Sequence, residues 1–161
     1  MDSIEQGVID ALDALGADYT IMPCDPGLAD TAAFCEHYGV ALEDSANAIL
    51  VSSKRPAGQL ALCLVLATQR LDVNRRVRDA MAVKKLSFAS PDATIEATGM
   101  VIGGVTPFGL DGLATLVDPE VVARPRVIVG GGSRSMKINV DPEVFRRAPD
   151  VQVVEIAQPA D

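Results

Sequence analysis

A chain of 161 residues, 48% hydrophobic and 22% charged, is long enough to bury a core and too apolar to be disordered; it reads as one domain over residues 1–161. Its 22 acidic and 14 basic residues give a net charge of −8, which argues against a free-standing, tight nucleic-acid binder and leaves DNA out as a partner. No apolar run reaches the ~20 residues that cross a bilayer, and the acidic, polar start is unlike a signal segment, so a cytoplasmic protein with no membrane partner is expected.

In chain order the first element is a helix. Ser3 with Gln6 forms a capping box, and Ile4, Val8, Leu12 and Leu15 recur at helical spacing until Gly16 ends the run. Tyr19 to Met22 is a short strand candidate. Asp30 can cap a helix running to about Tyr38, with Gly39 just past its last turn. Two apolar runs, Ala46 to Ser53 and Leu60 to Leu66, flank Lys54-Arg55-Pro56-Ala57-Gly58 and read as a hairpin of largely buried strands. Asp72 then caps a helix through about Ala82, and Lys85 to Ala89 returns as a strand.

In the second half, Ser90-Pro91, Asp118-Pro119 and Asp141-Pro142 each join a capping residue to a proline whose missing N–H is no loss at a helix start. Helices are expected from about Pro91 to Thr98, Pro119 to Ala123 and Pro142 to Arg147. Strands are expected over Ala114 to Val117, Arg126 to Val129, Ser135 to Val140 and Val151 to Ile156. Several connections are too short for βαβ crossovers, so the fold class is α/β of the mixed kind, a curved mixed sheet with helices packed outside.

The chemistry concentrates in Ile102-Gly103-Gly104-Val105-Thr106-Pro107-Phe108-Gly109. Glycine lets backbone approach a ligand and proline stiffens the loop, so its bare N–H groups suit a carbonyl, carboxylate or phosphate oxygen; a tight structural turn is the equal alternative. Gly130-Gly131-Gly132 with Ser133 and Arg134 lacks the ending of a P-loop and the spacing of a dinucleotide fingerprint, which disfavours nucleotide-dependent chemistry. Arg70, Arg75, Arg76, Arg78, Lys84 and Lys85 hold six of the 14 positive charges, either as a solvated helix face or as a contact to a phosphate backbone. Cys24, Cys35 and Cys63 are odd in number, with no Cys-x-x-Cys, and read as reduced structural thiols. The single histidine, His37, suits a capping or surface role, and neither metal nor cofactor is expected.

Taken in order, these features resemble the YbaK family, also called the prolyl-tRNA-synthetase-associated or aminoacyl-tRNA editing domain. The resemblance runs from about Tyr19 to Ile156. It rests on the helix Ala32 to Gly39, the strand Ala46 to Val51, the helix after Leu71-Asp72-Val73 and the strand Lys85-Leu86-Ser87-Phe88. Thr98-Gly99, the Gly103 to Gly109 loop, Leu116-Val117-Asp118, and Gly130-Gly131-Gly132-Ser133-Arg134 leading into Met136-Lys137-Ile138 complete it.

The resemblance implies a barrel-like mixed sheet surrounded by helices. It also implies a trans-acting deacylase that hydrolyses the ester of a tRNA mischarged with a small amino acid. The partners would be the tRNA acceptor end and an aminoacyl-tRNA synthetase. By the same resemblance Gly103, Gly104, Thr106, Pro107, Phe108 and Gly109 belong to the aminoacyl pocket. Gly130, Gly131 and Gly132 would lie near the terminal adenosine. Arg134 is either a contact to a terminal phosphate or a surface charge. Thr106 either orients water or the substrate amine, or closes the turn through its own backbone. Cys63 and Met100 either wall a small cavity or belong to the core. One departure stands out: the family usually places a lysine near the start of the strand Ala46 to Val51, and this chain has Asn47. An amide donates a hydrogen bond but carries no charge, so activity is altered in substrate, reduced or lost, or Asn47 is a satisfied buried amide. The alternative to a deacylase is therefore a non-catalytic binding module.

Overall fold

The sheets take shape around one strand that is apolar on both faces. In the computed structural model, which describes residues 1–159, β3 (Ala57–Leu66) turns Leu62, Leu64 and Leu66 to one core and Ala61, Cys63 and Val65 to another, all of them buried. The last two residues of the domain expected over 1–161 lie outside the described residues.

The chain enters through α1 (Ser3–Ala14) and β1 (Tyr19–Pro23), then a short 3-10 turn over Pro26–Leu28, α2 (Thr31–Tyr38) and a second 3-10 turn over Leu42–Asp44. β2 (Ala46–Arg55), β3, β4 (Gln69–Leu71), a π turn over Val73–Val77, α3 (Arg78–Met81) and β5 (Lys85–Phe88) follow. Next come α4 (Pro91–Thr98), β6 (Thr115–Val117), α5 (Pro119–Val122), β7 (Val127–Gly130) and β8 (Met136–Val140). A 3-10 helix over Pro142–Arg146, β9 (Val151–Val153) and β10 (Ala157–Pro159) end the described chain.

The strands form three sheets, ordered β5-β2-β3-β6-β9, β1-β8-β7 and β10-β4. β2–β3 and β2–β5 are antiparallel, whereas β3–β6 and β6–β9 are parallel, so the largest sheet is mixed as expected. A single bridge, Ser45 to Ile128, ties the start of β2 to β7. Among the described residues no hydrogen-bonded ring closes, so the sheet is mixed and helix-flanked without being a closed barrel. Val8 and Leu12 of α1 share one core with buried residues of β3, β7 and β8, while Leu71, Val73 and Val77 share the core on the opposite face of β2 and β3 with Leu86 of β5.

Several local expectations are corrected. The capping box belongs to Asp2 and Glu5 rather than Ser3 and Gln6, because the Asp2 carboxylate takes the Glu5 N–H at 2.8 Å and Glu5 returns the bond to the Asp2 N–H at 2.9 Å. Asp72 caps nothing: its carboxylate faces Arg75 and Arg76, and the segment it opens is a π turn before the short α3. The expected strand over Val151 to Ile156 stops at Val153, since the chain leaves β6 to pair Ala157–Pro159 with β4, an element that sequence reasoning missed. Both hairpin strands reach further into the Lys54–Gly58 linker than expected. Gly130 ends β7 instead of opening a turn, and the helix at Pro142 is a 3-10 helix ending at Arg146.

Candidate functional site

β5 pairs only with residues 51–55 of β2, which leaves the first half of β2 with an open edge. The Ser45 carbonyl accepts the Ala67 N–H at 2.8 Å, so residues 45, 47 and 49 turn their backbone groups toward β3. By antiparallel alternation, Ala48 then turns its N–H and C=O to the open side. Beside that edge lies a cleft of about 370 Å³. Ala46 to Leu50 form one wall, Ile102, Gly103, Val105 and Gly130 the opposite one, and Asp30, Thr31, Ala89 and Thr94 complete the rim.

Lys137 also lines the cleft, and sequence reasoning did not single it out as a site residue. Its neighbours on β8, Met136 and Ile138, face the large core, so strand alternation turns Lys137 the other way, over the small cluster of Ala29, Phe34 and Cys35. Lys137 lies opposite Gly130 in the β7–β8 register, and the backbone of Gly104 and Val105 occupies the space that a side chain there would take. Lys137 is 7% exposed, and its ammonium donates to the carbonyls of Ala29 at 2.6 Å and Gly103 at 2.8 Å, 5.5 Å from the Phe34 ring centre. Two of its three N–H groups are thereby used. No ion pair reaches it among the described residues. Neither thiol nearby is a counter-ion, because burial pushes Cys24 and Cys35 up, and burial likewise holds Lys137 below the ordinary lysine value. A charged strand residue between two apolar ones was the signal available for it.

Asn47 meets Lys137 across this cleft. Its side-chain oxygen accepts the Thr31 hydroxyl at 2.5 Å, and its amide nitrogen makes no protein hydrogen bond among the described residues. The amide therefore presents donors. The glycine loop presents the reverse: the Gly103 carbonyl takes Lys137, and the Gly104 N–H is held by the Val101 carbonyl at 2.9 Å. The cleft therefore has side-chain donors in Lys137 and Asn47, and the Gly104 N–H is not one of its free donors.

The remaining expected residues are scattered. Gly130 lines the cleft because nothing larger fits; a Cβ there would stand 2.3 Å from the Val105 carbonyl oxygen. Gly103 has φ +91 and its Cβ would meet Arg134 at 2.4 Å, so glycine is needed for loop apposition. Thr106 is fully buried and lies outside the cleft lining, and its hydroxyl has no hydrogen-bond partner among the described residues, so it does not close the turn through its own backbone. Phe108 is core, stacked on Phe145 at 5.5 Å, and Pro107 is half-buried outside the lining. Gly109 packs against the Gly7 backbone, Gly131 under Met136, and Gly132 beside Val8, its N–H held by the Gly104 carbonyl. Arg134 donates to Pro26 O, Ile102 O and Asp30 Oδ1 at 2.8 to 2.9 Å, which clamps the two loops that flank the cleft. Cys63, pushed up to about 12 by burial, and Met100 are both core, and His37 is exposed on the last turn of α2.

The chain belongs to the aminoacyl-tRNA editing domain family, whose model matches residues 25–148. Its fold is that of a crystal structure of a hypothetical protein, APE2540 (TM-score 0.85, 20% identity, 94% of this chain and 99% of that one). It is also that of a protein described as "a putative trans-editing enzyme for prolyl tRNA synthetase" (TM-score 0.80, 20% identity, 98% of this chain and 99% of that one).

Proposed function

We propose that the chain is a trans-acting aminoacyl-tRNA deacylase that removes a small, wrong amino acid from tRNA. The observation that carries this reading is the buried Lys137 ammonium, without a carboxylate partner among the described residues, facing a cleft beside Asn47. Membership of the editing family supplies the substrate class.

An aminoacyl ester is already activated, so the site has three tasks: to hold it, to stabilise the oxyanion and to orient water. Water adds to the ester carbonyl carbon, negative charge builds on the carbonyl oxygen, and the bond to the ribose oxygen breaks. The ribose oxygen leaves with a proton and the amino acid departs as a carboxylate. The unused N–H of Lys137 and the Asn47 amide face the region where that charge develops, and a fixed cation in a low-dielectric recess is the strongest such donor. The Asp30 carboxylate, held through Oδ1 by Arg134, leaves its other oxygen for the substrate's α-ammonium. Ala46 and Ala48 give one wall little bulk, and exclusion by size is the easier half of selectivity. The protein would act in the cytoplasm beside a synthetase.

The test is a panel of alanyl-, seryl- and cysteinyl-tRNAs, with and without a synthetase. Release of at least one amino acid without metal or nucleotide is expected, and a panel left intact would end the reading. The second reading, a binding module without chemistry, is favoured by Asn47 standing where the family usually has lysine. It predicts tight binding of the acceptor end with no release, and gain of hydrolysis in Asn47→Lys.

A further inference from the structure

Among the described residues, half of the 14 cations of this acidic chain have a carboxylate close by. Arg124, Arg126, Arg134 and Arg147 each pair with one at 2.6 to 2.9 Å. Arg75, Arg76 and Arg78 also have carboxylates within 4.0 Å, which removes them from the basic cluster that the sequence suggested. Lys54, Arg55, Lys84, Lys85 and Arg146 are exposed and have no ion pair among the described residues. The fold gathers the first four of these. Arg55 and Lys85 are direct cross-strand partners on β2 and β5, and the Lys84 N–H donates to the Arg55 carbonyl at 2.8 Å. Like charges directly opposite on neighbouring strands are destabilising, so the arrangement is better explained by an anion it receives than by the sheet it belongs to.

Edge protection does not account for it. Lysines blunt a sheet edge when they lie along the edge strand, whereas these cations straddle β5 and β2, and Phe88 on the same edge strand stays 59% exposed. From Arg55 the strands run back to Leu50 and Ala89, both of which line the cleft, over about 17 Å at ~3.3 Å per residue. Along β5 and its continuation, Lys85, Ser87 and Ala89 share one face, and Leu86 and Phe88 turn to the other, so the cationic end and the cleft end are joined by the face of Ser87.

Resting on the deacylase reading, we propose that this track is the docking surface for the tRNA acceptor arm. Lys54, Arg55, Lys84 and Lys85 take phosphates of the stem, and the terminal aminoacyl group enters the cleft. This reconciles a net charge of −8 with an RNA partner, because the local field, not the total charge, meets the phosphates.

The experiment measures binding of an uncharged RNA hairpin with an unpaired 3′-CCA end, by fluorescence anisotropy across a salt series, alongside thermal melts. The double variant R55E/K85E should bind at least about tenfold more weakly at low salt, with the slope of log K against log salt smaller by about one to two units. R146E, an exposed charge reversal on another element, should leave binding within twofold. Hydrolysis of a minimal 3′-aminoacyl-adenosine should be unchanged in R55E/K85E. Wild-type affinity in R55E/K85E, an equal loss in R146E, or no RNA binding by the native chain would overturn the surface. If no aminoacyl ester is hydrolysed but R55E/K85E still loses RNA, the deacylase reading fails and the surface stands. If hydrolysis of mischarged tRNA and RNA binding are both untouched in R55E/K85E, the surface fails and the deacylase reading stands.

Discussion

The Thr31 hydroxyl donates to the Asn47 side-chain oxygen at 2.5 Å and ties the first turn of α2 to the open edge of β2. Because the oxygen is held, the amide nitrogen is the end left for the cleft. Together with Lys137 on β8 it gives the recess one neutral and one charged donor, drawn from elements 90 residues apart in the chain. The charged group therefore stands on a different strand from the one where the family usually places its lysine.

Lys137→Met keeps the stem and removes the charge. Deacylation should fall by about 10²–10³-fold, the usual loss when one preorganised donor is removed. Single-turnover assays beside thermal melts measure this, and a wild-type rate in a folded variant would remove Lys137 from the mechanism.

The pH dependence has a definite sign. Burial holds Lys137 below the ordinary lysine value of 10.5. Between its folded and unfolded values the unfolded chain binds more protons, so this group makes stability rise with pH across that window. Relative to Lys137→Met, the native protein should gain stability as pH climbs toward 10.5, and its catalysis should decline over the same interval as the cation is lost. Urea melts of both proteins check the first point; a stability difference that does not change with pH would contradict it.

Asn47→Ala removes the amide donor and leaves the Thr31 hydroxyl without its acceptor. A fall of about tenfold or more in deacylation is expected from one lost donor, and abolition of a native rate would exclude the binding-module reading. Asn47→Lys places a second ammonium in the same recess as Lys137, so it should melt earlier than the parent unless an anion is bound.

Arg134→Ala should act through the loops it clamps. The melting temperature should drop by several degrees, as for the loss of ~1–3 kcal/mol of charge-assisted hydrogen bonds. Amide exchange at Gly103 and Gly104 should quicken. Activity on a phosphate-free aminoacyl-adenosine should fall as much as on whole tRNA; a loss confined to tRNA would mean that Arg134 contacts phosphate instead.

Much of this was legible in the chain. The aliphatic runs of β2 and β3, the three Ser/Asp-Pro helix starts and Gly39 and Gly99 after their helices carry local signals, since capping and proline geometry act within a few residues. The ordered motifs, with Asn47 as the departure among them, pointed to the editing family. β4 and β10 were missed because three-residue strands have too little pattern to register and exist only through each other. The glycine loop was read either as a source of bare amides or as a tight structural turn; Gly104 and Gly109 pack closely on neighbouring backbone, a use that composition cannot separate from ligand approach.

The sequence alone determined most element types and the family, because periodicity, caps and motif order are properties of neighbouring residues. Tertiary structure alone decided that Lys137 and Asn47 share one recess, that Arg134 clamps the loops beside it, and that Lys54 and Arg55 join Lys84 and Lys85. Each of those meetings spans tens of residues and is fixed by strand register and burial, which no local window contains.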